Sequence, residues 1–260
     1  MRAMEILVCV KRVPTVGGVI TLTADQRAID TKTSGFTISP HEECAVEEAV
    51  RLVERFGGSV TVVSLGPVAA QEQLRACLAL GASAAVLLET ADGVETGPVA
   101  TAAALHTVAA SRSFDLVLLG NEASDTGDYQ VGIRLAHLLG RPAATGIKAI
   151  SVSDDSSSLT ASRTYRGVLE TFTLPLPCVV TVKEGINLPR YPSLPGRLRA
   201  KRASVTRIPA SDTALAAGAD VLMTRLRVPD APKKQAAVLG HGPDAVPALV
   251  SVLAEIGVLS

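Results

Sequence analysis

Short apolar runs alternate with amphipathic stretches along the first two thirds of the chain. The apolar runs are residues 5–10, 59–64, 84–88, 116–119 and 178–182. Each has the length of a strand that is buried on both faces of a parallel sheet. Helical patterns separate most of these runs, at residues 42–55, 71–80 and 98–110. The alternation predicts an α/β fold with a doubly wound, mostly parallel sheet.

The most informative stretch is residues 120–136, GNEASDTGDYQVGIRLA, where an apolar strand ends in a polar loop that leads directly into a helix. This helix is predicted to pack on the sheet through Val131, Leu135, Leu138 and Leu139. Gly127 and Gly132 would let the backbone approach a ligand closely, and the free N–H groups of the first helical turn suit a phosphate. The alternative is that Ser124, Asp125 and Asp128 only cap the helix.

Two hairpins are predicted to interrupt the parallel pattern. Residues 19–22 would pair with residues 28–30. Residues 159–165 would pair with residues 168–174 across a turn at Arg166-Gly167. Both hairpins would be appended to the edge of the main sheet.

Proline changes the character of the chain after residue 186. Pro189, Pro192 and Pro195 follow within nine residues, so we expect no regular element to run through this stretch. Six basic residues and no acidic residue lie between positions 190 and 207. The tail has one predicted helix, at 244–256, and too little apolar surface to fold alone. The sequence therefore divides into 1–186 as an α/β domain, 187–207 as a basic segment and 208–260 as an extended C-terminal arm on this domain or on a partner chain.

The composition indicates a globular protein without an overall charge. The chain has 260 residues, 47% of them hydrophobic, and Lys+Arg and Asp+Glu total 25 each. It offers no global field that would favour nucleic acid or an acidic membrane. The four cysteines, Cys9, Cys44, Cys77 and Cys178, have no CxxC spacing, which predicts buried thiols rather than a metal site. The first apolar run is too short for a signal peptide or a membrane span, so we expect a cytoplasmic location.

Five segments of the chain, taken in order, carry a family resemblance. They are ILVCVKRVP, SPHEECAVEEAVRL, VVSLGP, NEASDTGDYQVGIRLAHLLGRPAATGI and LPCVVTVKEGINLPRYPSLPGRLRAKR. In this order they resemble the beta subunit of electron transfer flavoproteins, the FixA-like family. The likeness runs from about residue 6 to residue 202 and weakens in the tail. It implies a Rossmann-like fold without a GxGxxG motif, which this chain also lacks.

The resemblance implies a heterodimeric electron carrier. In that family the beta subunit pairs with an alpha subunit, FAD lies mainly on the alpha subunit, and the beta subunit holds a structural AMP. Carried over residue by residue, the cofactor-binding positions are Cys9, Ser39, Pro40, His41, Glu42, Leu65, Gly66, Asp125, Thr126, Gly127, Asp128, Gln130, Val131, Gly132 and Ala136. Gln130 and the N–H groups around it are the first choice for the phosphate. These positions follow strand ends or begin helices, where open α/β sheets bind ligands.

The electron partners follow from the same resemblance. The heterodimer would accept electrons from flavin dehydrogenases, such as acyl-CoA dehydrogenases, and pass them to a membrane quinone oxidoreductase. No residue of the chain is expected to be catalytic, because the sequence contains no nucleophile paired with a base. Residues 190–202 correspond to the family's recognition loop, which docks on partner dehydrogenases.

The residue types in segment 190–202 also suit a docking surface. Tyr191 and Leu194 would be the apolar contacts on a proline-stiffened loop, with Leu194 as the anchor. Arg197, Arg199, Lys201 and Arg202 would speed the encounter more than they add affinity. The alternative is that this basic run is solvated or contacts the alpha subunit. Nucleic-acid binding is disfavoured, because the run has no aromatic side chain beyond Tyr191 for stacking on bases.

The chain departs from the family pattern at Ser39-Pro40-His41, where relatives commonly have Asn-Pro-Phe. His41 replaces an aromatic residue that lies near the flavin in relatives. An imidazole there could stabilise the reduced flavin and raise its potential. The alternative is that His41 only packs at the subunit junction.

Two other functions remain open from the sequence. One is a bifurcating member of the same family, in which a second FAD replaces AMP and NADH is the donor. The other is a stand-alone adenine-nucleotide sensor of the universal-stress type, which shares the fold class but has no recognition loop or arm.

Overall fold

The computed structural model describes residues 3–15, 17, 20–32, 34–94, 96–210, 223–229 and 236–259. Its strands are β1 (Met4–Cys9), β2 (Val13–Pro14), β3 (Phe36–Thr37), β4 (Gly58–Gly66), β5 (Ala84–Glu89), β6 (Leu116–Gly120), β7 (Ala143–Ile147), β8 (Ala149–Val152), β9 (Ser158–Tyr165), β10 (Val168–Pro175), β11 (Cys178–Val182) and β12 (Thr206–Pro209). Its helices are α1 (Pro40–Phe56), α2 (Gln71–Leu80), α3 (Pro98–Ala109), α4 (Val131–Leu138), α5 (Leu194–Arg202) and α6 (Val246–Glu255).

Seven parallel strands form the central sheet in the order β12-β5-β4-β1-β6-β11-β7. From β1 the chain moves outward through β4 to β5, then returns and places β6 on the opposite side of β1. The direction of winding therefore reverses between the carboxyl ends of β1 and β6, at Cys9 and Gly120. In open α/β sheets such a reversal leaves a crevice that binds ligands. The doubly wound parallel fold and its five predicted strands are confirmed.

The helices cover the two faces of this sheet. α1, α2 and α5 belong to one apolar cluster with Ile6 and Val8, while α3 and α4 belong to the other with Leu7 and Cys9. Alternate residues of β1 thus face opposite layers, as the pleat of a strand requires. The sequence correctly predicted four of these helices, those over residues 40–56, 71–80, 98–109 and 131–138.

The predicted buried stripe of α4 is partly wrong, because Leu138 is 47% exposed. The buried residues of this helix are Gly132, Leu135 and Ala136. Two of them are small, so the helix approaches the sheet along a face rotated away from Leu138. The predicted stripe counted only large apolar residues, so it could not indicate that the small residues Gly132 and Ala136 face the sheet.

The appended strands are more extensive than the two predicted hairpins. β9 and β10 pair antiparallel as predicted, but β8 extends them to a three-stranded sheet. The predicted pairing of residues 19–22 with 28–30 is a single bridge between Leu22 and Ile29, and Val19 lies outside the described residues. β2 and β3 form a further two-stranded pair.

Two elements, α5 and β12, lie between residues 194 and 209, and only the start of α5 falls in the proline-rich stretch where no regular element was predicted. α5 begins at Leu194 inside the proline-rich stretch, because Ser193 caps it by accepting a hydrogen bond from the backbone N–H of Gly196 at 3.1 Å. Pro195 is tolerated since the first turn of a helix needs no N–H donor there. β12 then joins the central sheet beside β5. Leu194 is therefore the first residue of a helix and not a loop residue.

The chain divides into two compact units, Met1–Arg225 and Leu226–Ser260. Residues 187–207 thus lie within the first unit. In the second unit the predicted helix is present as α6, and none of its residues is buried. Residues 211–222 and 230–235 of the predicted arm lie outside the described residues.

Candidate nucleotide-binding site

A cleft lies at the reversal point, between the carboxyl ends of β1 and β6 and the first turns of three helices. It holds about 740 Å³ of space between protein atoms, part of it open to solvent. Its lining comprises Cys9, Val10, Lys11, Glu42, Leu65, Thr96, Pro98, Thr101, Leu105, Leu119, Gly120, Asn121, Glu122, Ala123, Thr126, Asp128, Tyr129, Gln130, Val131 and Gly132. This mixture of apolar walls with a few polar groups is typical of small-molecule sites.

The polar loop is held in place by an ion pair across the cleft mouth. Nζ of Lys11, just after β1, lies 2.8 Å from the Asp125 carboxylate. Gly127 and Tyr129 have positive φ values of 60° and 58°, so the loop turns sharply before α4. α4 has Gln130 as its N-cap, and no side chain caps it. The alternative interpretation, in which Ser124, Asp125 and Asp128 cap the helix, is therefore wrong.

The start of α4 offers donors to an anion. Its first N–H groups have no partner within the helix and carry a partial positive charge. The Gln130 side chain is oriented by Arg134, whose Nε and Nη2 donate to Oε1 at 3.1 and 2.8 Å. Arg134 therefore adds a full positive charge next to the predicted phosphate contact. The sequence analysis did not single out this arginine.

Gly132 has a packing role besides the ligand approach predicted for it. A Cβ atom at this position would overlap Cγ2 of Thr181 on β11. Thr181 cannot easily rotate away, because its hydroxyl donates to Oδ1 of Asn121 at 2.8 Å and accepts from the N–H of Gly146 at 3.1 Å. The missing side chain thus serves the close approach of α4 to the sheet, and this approach places the helix start beside the cleft.

Glu42 is a buried carboxyl group in the cleft wall. It is 6% exposed, and its Oε2 accepts hydrogen bonds from the backbone N–H groups of Lys11 at 3.1 Å and Ser39 at 3.2 Å. These bonds join the end of β1 to the start of α1. Burial raises the pKa of Glu42 from 4.5 to about 8, and the two hydrogen bonds oppose this shift only in part.

The raised pKa of Glu42 predicts a specific pH dependence. Between pH 4.5 and 8 the folded state retains a proton that the unfolded state has lost, so the free energy of unfolding falls as pH rises. The slope from this group is at most about 1.4 kcal/mol per pH unit. We expect Glu42→Gln to remove this part of the slope in urea unfolding of the full chain at several pH values.

Comparing the pH dependence of unfolding in wild type and Glu42→Gln isolates the contribution of Glu42. The pKa of His41 is lowered, chiefly by burial, and its contribution to stability therefore rises with pH, with the opposite sign. Because His41 is present in both proteins, its contribution cancels in the difference. Equal slopes for wild type and variant would show that Glu42 keeps its ordinary pKa.

His41 lies beside the cleft, because it directly precedes the cleft-lining residue Glu42 in the first turn of α1. Its Nδ1 is buried without a hydrogen-bond partner in the described part of the chain, and the closest carboxylate, that of Glu122, is 3.9 Å away. Glu122 also accepts a bond from the Tyr129 hydroxyl, which raises the pKa of that phenol. A ligand group placed next to His41 could form a hydrogen bond with this Nδ1 atom.

Eight of the predicted cofactor residues line the cleft and seven are not among its lining residues. The eight lining residues are Cys9, Glu42, Leu65, Thr126, Asp128, Gln130, Val131 and Gly132. The other seven are Ser39, Pro40, His41, Gly66, Asp125, Gly127 and Ala136. Ala136 is a core residue, and Ser39 is buried, with its hydroxyl donating to the carbonyl of Glu122 at 3.4 Å. Cys9 is buried, which raises the pKa of its thiol.

One wall of the cleft, at the start of α3, was not predicted from the sequence. Thr96, Pro98 and Thr101 line the cleft, as do Lys11 and Tyr129. Pro98 after Gly97 is a helix-start signal, and any helix start at the carboxyl edge of the sheet is a candidate for the site. The Gly97-Pro98 signal could therefore have pointed to the residues at the start of α3 from the sequence.

The predicted docking residues lie on α5 and the loop before it. Tyr191 is 94% exposed and Leu194 is 71% exposed. The predicted encounter residues Arg197, Arg199, Lys201 and Arg202 are exposed on the same helix. The basic run is not uniformly free, because Arg190 pairs with Glu47 and Glu54, and Arg207 pairs with Glu89.

Comparison with known proteins identifies the family. A model of the electron transfer flavoprotein domain matches residues 27–213. The chain belongs to the electron transfer flavoprotein family. Among its relatives are the beta subunit of Homo sapiens, 34% identical over 262 residues and 99% of each chain, and that of Bacillus subtilis, 38% identical over 176 residues, 67% of this chain and 68% of the relative. The mitochondrial beta subunit of Arabidopsis thaliana is 33% identical over 237 residues, 91% of this chain and 93% of the relative.

Membership of the electron transfer flavoprotein family confirms the resemblance that five sequence segments indicated. All four cysteines are buried, as predicted. The described residues contain no group of three His, Cys, Asp or Glu side chains arranged to hold a metal ion. They also include no helix that is long and apolar enough to cross a membrane.

Proposed function

We propose that this chain is the beta subunit of a heterodimeric electron transfer flavoprotein and that it holds AMP in the cleft at the sheet reversal. FAD would lie mainly on the alpha subunit. The heterodimer would carry electrons from flavin dehydrogenases, such as acyl-CoA dehydrogenases, to a membrane quinone oxidoreductase. The observation that carries the proposal is the cleft itself, because its helix start, sharp turn and apolar walls together suit an adenine nucleotide.

The residues of the cleft fit the parts of AMP. The first-turn N–H groups of α4, with Arg134 beside them, suit the phosphate. The carboxylate of Asp128 suits ribose hydroxyls. The apolar walls from Leu65, Leu105 and Leu119 suit the adenine ring. With no chemistry to perform at this site, the nucleotide would act by joining β1, α1 and α4.

Assembly with an alpha subunit tests the proposal. We expect co-expression of the full chain with a candidate alpha subunit to give a one-to-one complex that is yellow from bound flavin. If the chain purifies alone with a bound adenine nucleotide and the alpha subunit carries its flavin independently, the heterodimer proposal is wrong. That outcome would instead favour a stand-alone nucleotide sensor.

His41 is the residue of this chain that we propose to lie nearest the flavin. When bound, FAD would accept and release electrons, and His41 would donate a hydrogen bond to its reduced form. The lowered pKa of His41 makes the neutral imidazole the dominant form at pH 7, so it would act as a donor and not as a cation. Its unpartnered Nδ1 is consistent with this role.

A His41→Phe variant is expected to lower the flavin potential of the heterodimer by about 30 mV. This shift corresponds to the loss of one hydrogen bond of about 1.4 kcal/mol for a two-electron couple. Redox titration of the purified heterodimer measures it. An unchanged potential would mean that His41 only packs at the subunit junction.

Leu194→Ala is expected to raise the KM for the heterodimer in dehydrogenase assays by about 10- to 100-fold, with kcat nearly unchanged. The estimate follows from about 1.5–3 kcal/mol for burying one leucine side chain in a partner pocket. Val68→Ala is a suitable control, because Val68 is exposed but lies outside α5 and the loop before it. Equal KM values for the Leu194 variant and wild type would remove Leu194 as the anchor.

A further inference from the structure

Arg190 lies immediately before the exposed Tyr191 and is bound to two acidic residues of α1. Its backbone N–H donates to Oε2 of Glu47 at 3.1 Å, and its Nε donates to the same oxygen at 2.8 Å. Its Nη2 donates to Oε1 of Glu47 at 3.1 Å. The guanidinium also donates to both oxygens of Glu54, at 2.5 and 2.9 Å. Both the main chain and the side chain of Arg190 are therefore fixed to one helix.

Glu47 distinguishes this contact from an ordinary surface ion pair. Its carboxylate is only 4% exposed, whereas most surface pairs are solvated and contribute little. A buried carboxylate is costly unless it is paired and hydrogen-bonded, so Glu47 needs its partners. One is Arg190, and the other is Arg51 of α1, with its Nε 3.2 Å from Oε1.

Asn187 fixes the other end of the same loop to α1. Its Nδ2 donates to the carbonyl of Cys44 at 3.0 Å and to Oε2 of Glu48 at 2.9 Å. Two residues separate Asn187 from Arg190, and Tyr191 follows directly. The two ties therefore lie on the inner side of a loop whose apolar side chains, Leu188 and Tyr191, are 87% and 94% exposed.

The next segment is fixed to α2 instead. A Cβ atom at Gly196 would overlap the carbonyl oxygen of Ala79, so α5 lies directly against the end of α2. Nη1 of Arg75 donates to the carbonyls of Ala200 and Ala203 at 2.9 and 2.8 Å, at the end of α5. Leu194 thus stands on a helix that is anchored at its first and last turns.

We infer that Glu47, Arg190 and Asn187 are positioning residues, which fix Tyr191 relative to the separately anchored Leu194, so that the two form one arrangement that a partner flavin dehydrogenase recognises. The inference rests on the proposed docking function of Tyr191 and Leu194. Exposed apolar side chains on a free loop would lose conformational entropy on docking, and a loop ordered in advance avoids this loss. The ties act on the arrangement of the docking residues and make no contact with the partner themselves.

An Arg190→Gln variant tests the inference in the flavin-loaded heterodimer. An acyl-CoA dehydrogenase with its acyl-CoA reduces the heterodimer, whose concentration is varied. We expect KM to rise about tenfold with kcat within about twofold of wild type, because a flexible loop weakens docking and leaves electron transfer unchanged. Hydrogen exchange of the amides at 188–194 is expected to become about tenfold faster in the heterodimer alone.

Two further variants separate positioning from general stability. Arg51→Gln removes a partner of the same buried carboxylate but lies on α1 itself, so KM and loop exchange should stay as in wild type. The double variant Glu47→Gln/Arg190→Gln leaves no unpaired buried charge, and it should show the same rise in KM even if Arg190→Gln alone folds poorly. Wild-type KM in the folded double variant would overturn the inference.

Leu194→Ala, assayed in parallel, distinguishes a failure of the docking function from a failure of the positioning role. If Leu194→Ala raises KM and the double variant does not, docking is correct and the positioning role is wrong. If Leu194→Ala leaves KM unchanged, the proposed docking function is wrong and the inference falls with it. Faster loop exchange with a tenfold higher KM, in the presence of a working Leu194 anchor, is the result that supports both.

Discussion

Gly132→Ala is expected to weaken AMP binding by about tenfold or more and to destabilise the chain by about 1–3 kcal/mol. The added Cβ would overlap Cγ2 of Thr181, whose rotamer is fixed by its bonds to Asn121 and Gly146. α4 must therefore move away from β11, and its first-turn N–H groups move with it. Thermal unfolding and AMP content of the purified heterodimer measure the two effects.

A second substitution tests whether this contact is the cause. Thr181→Ser removes Cγ2 and keeps the hydroxyl that bonds Asn121 and Gly146. The double variant Gly132→Ala/Thr181→Ser should regain most of the lost stability and AMP, since the overlapping atom is gone. If the losses simply add in the double variant, the overlap is not their source.

Gly58→Ala is expected to give the largest loss of stability, about 3 kcal/mol or more. Gly58 has a φ of 113°, which L-residues rarely adopt, and a Cβ there would overlap the backbone oxygen of Met4. Backbone strain and overlap with a main-chain atom add, and neither can be relieved by rotating a side chain. β1 and β4 are paired at this point, with Met4 opposite Gly58, so the centre of the sheet is disturbed.

Gly140→Ala is the matched control for this prediction. Gly140 also has a positive φ, of 60°, but a Cβ there would meet nothing within 4 Å. Its cost should be only the conformational one, about 1 kcal/mol. Thermal unfolding of both variants should therefore differ by several degrees. Similar midpoints would show that the Met4 contact relaxes at little cost.

The parallel sheet could be predicted because its strands are nearly uniform in hydrophobicity. β1, β6 and β11 are almost wholly buried, as is the middle of β4, and such runs stand out in a single sequence. The edge strand β7, AATGI, could not be predicted in this way, because its alanine, threonine and glycine resemble a loop. β12 has no buried residue and owes its place to pairing with β5, a partner more than a hundred residues away.

The loop that lines the cleft could be recognised from the sequence, but its internal contacts could not. A loop after a strand and before a helix can be recognised from local sequence, which is why Thr126, Asp128 and Gln130 were found. The Lys11–Asp125 pair joins residues 114 positions apart, and no local pattern reports such a contact. The role of Gly132 likewise depends on Thr181, on a strand that comes 49 residues later. Both contacts depend on long-range packing, which a local sequence pattern does not show.

The most direct test of the account is the nucleotide content of the purified heterodimer. The complex is denatured, the released nucleotides are separated by chromatography, and FAD and AMP are quantified per heterodimer. One FAD and one AMP is the result that the account predicts. Two FAD and no AMP would contradict it and assign the cleft to a second flavin, as in a bifurcating flavoprotein.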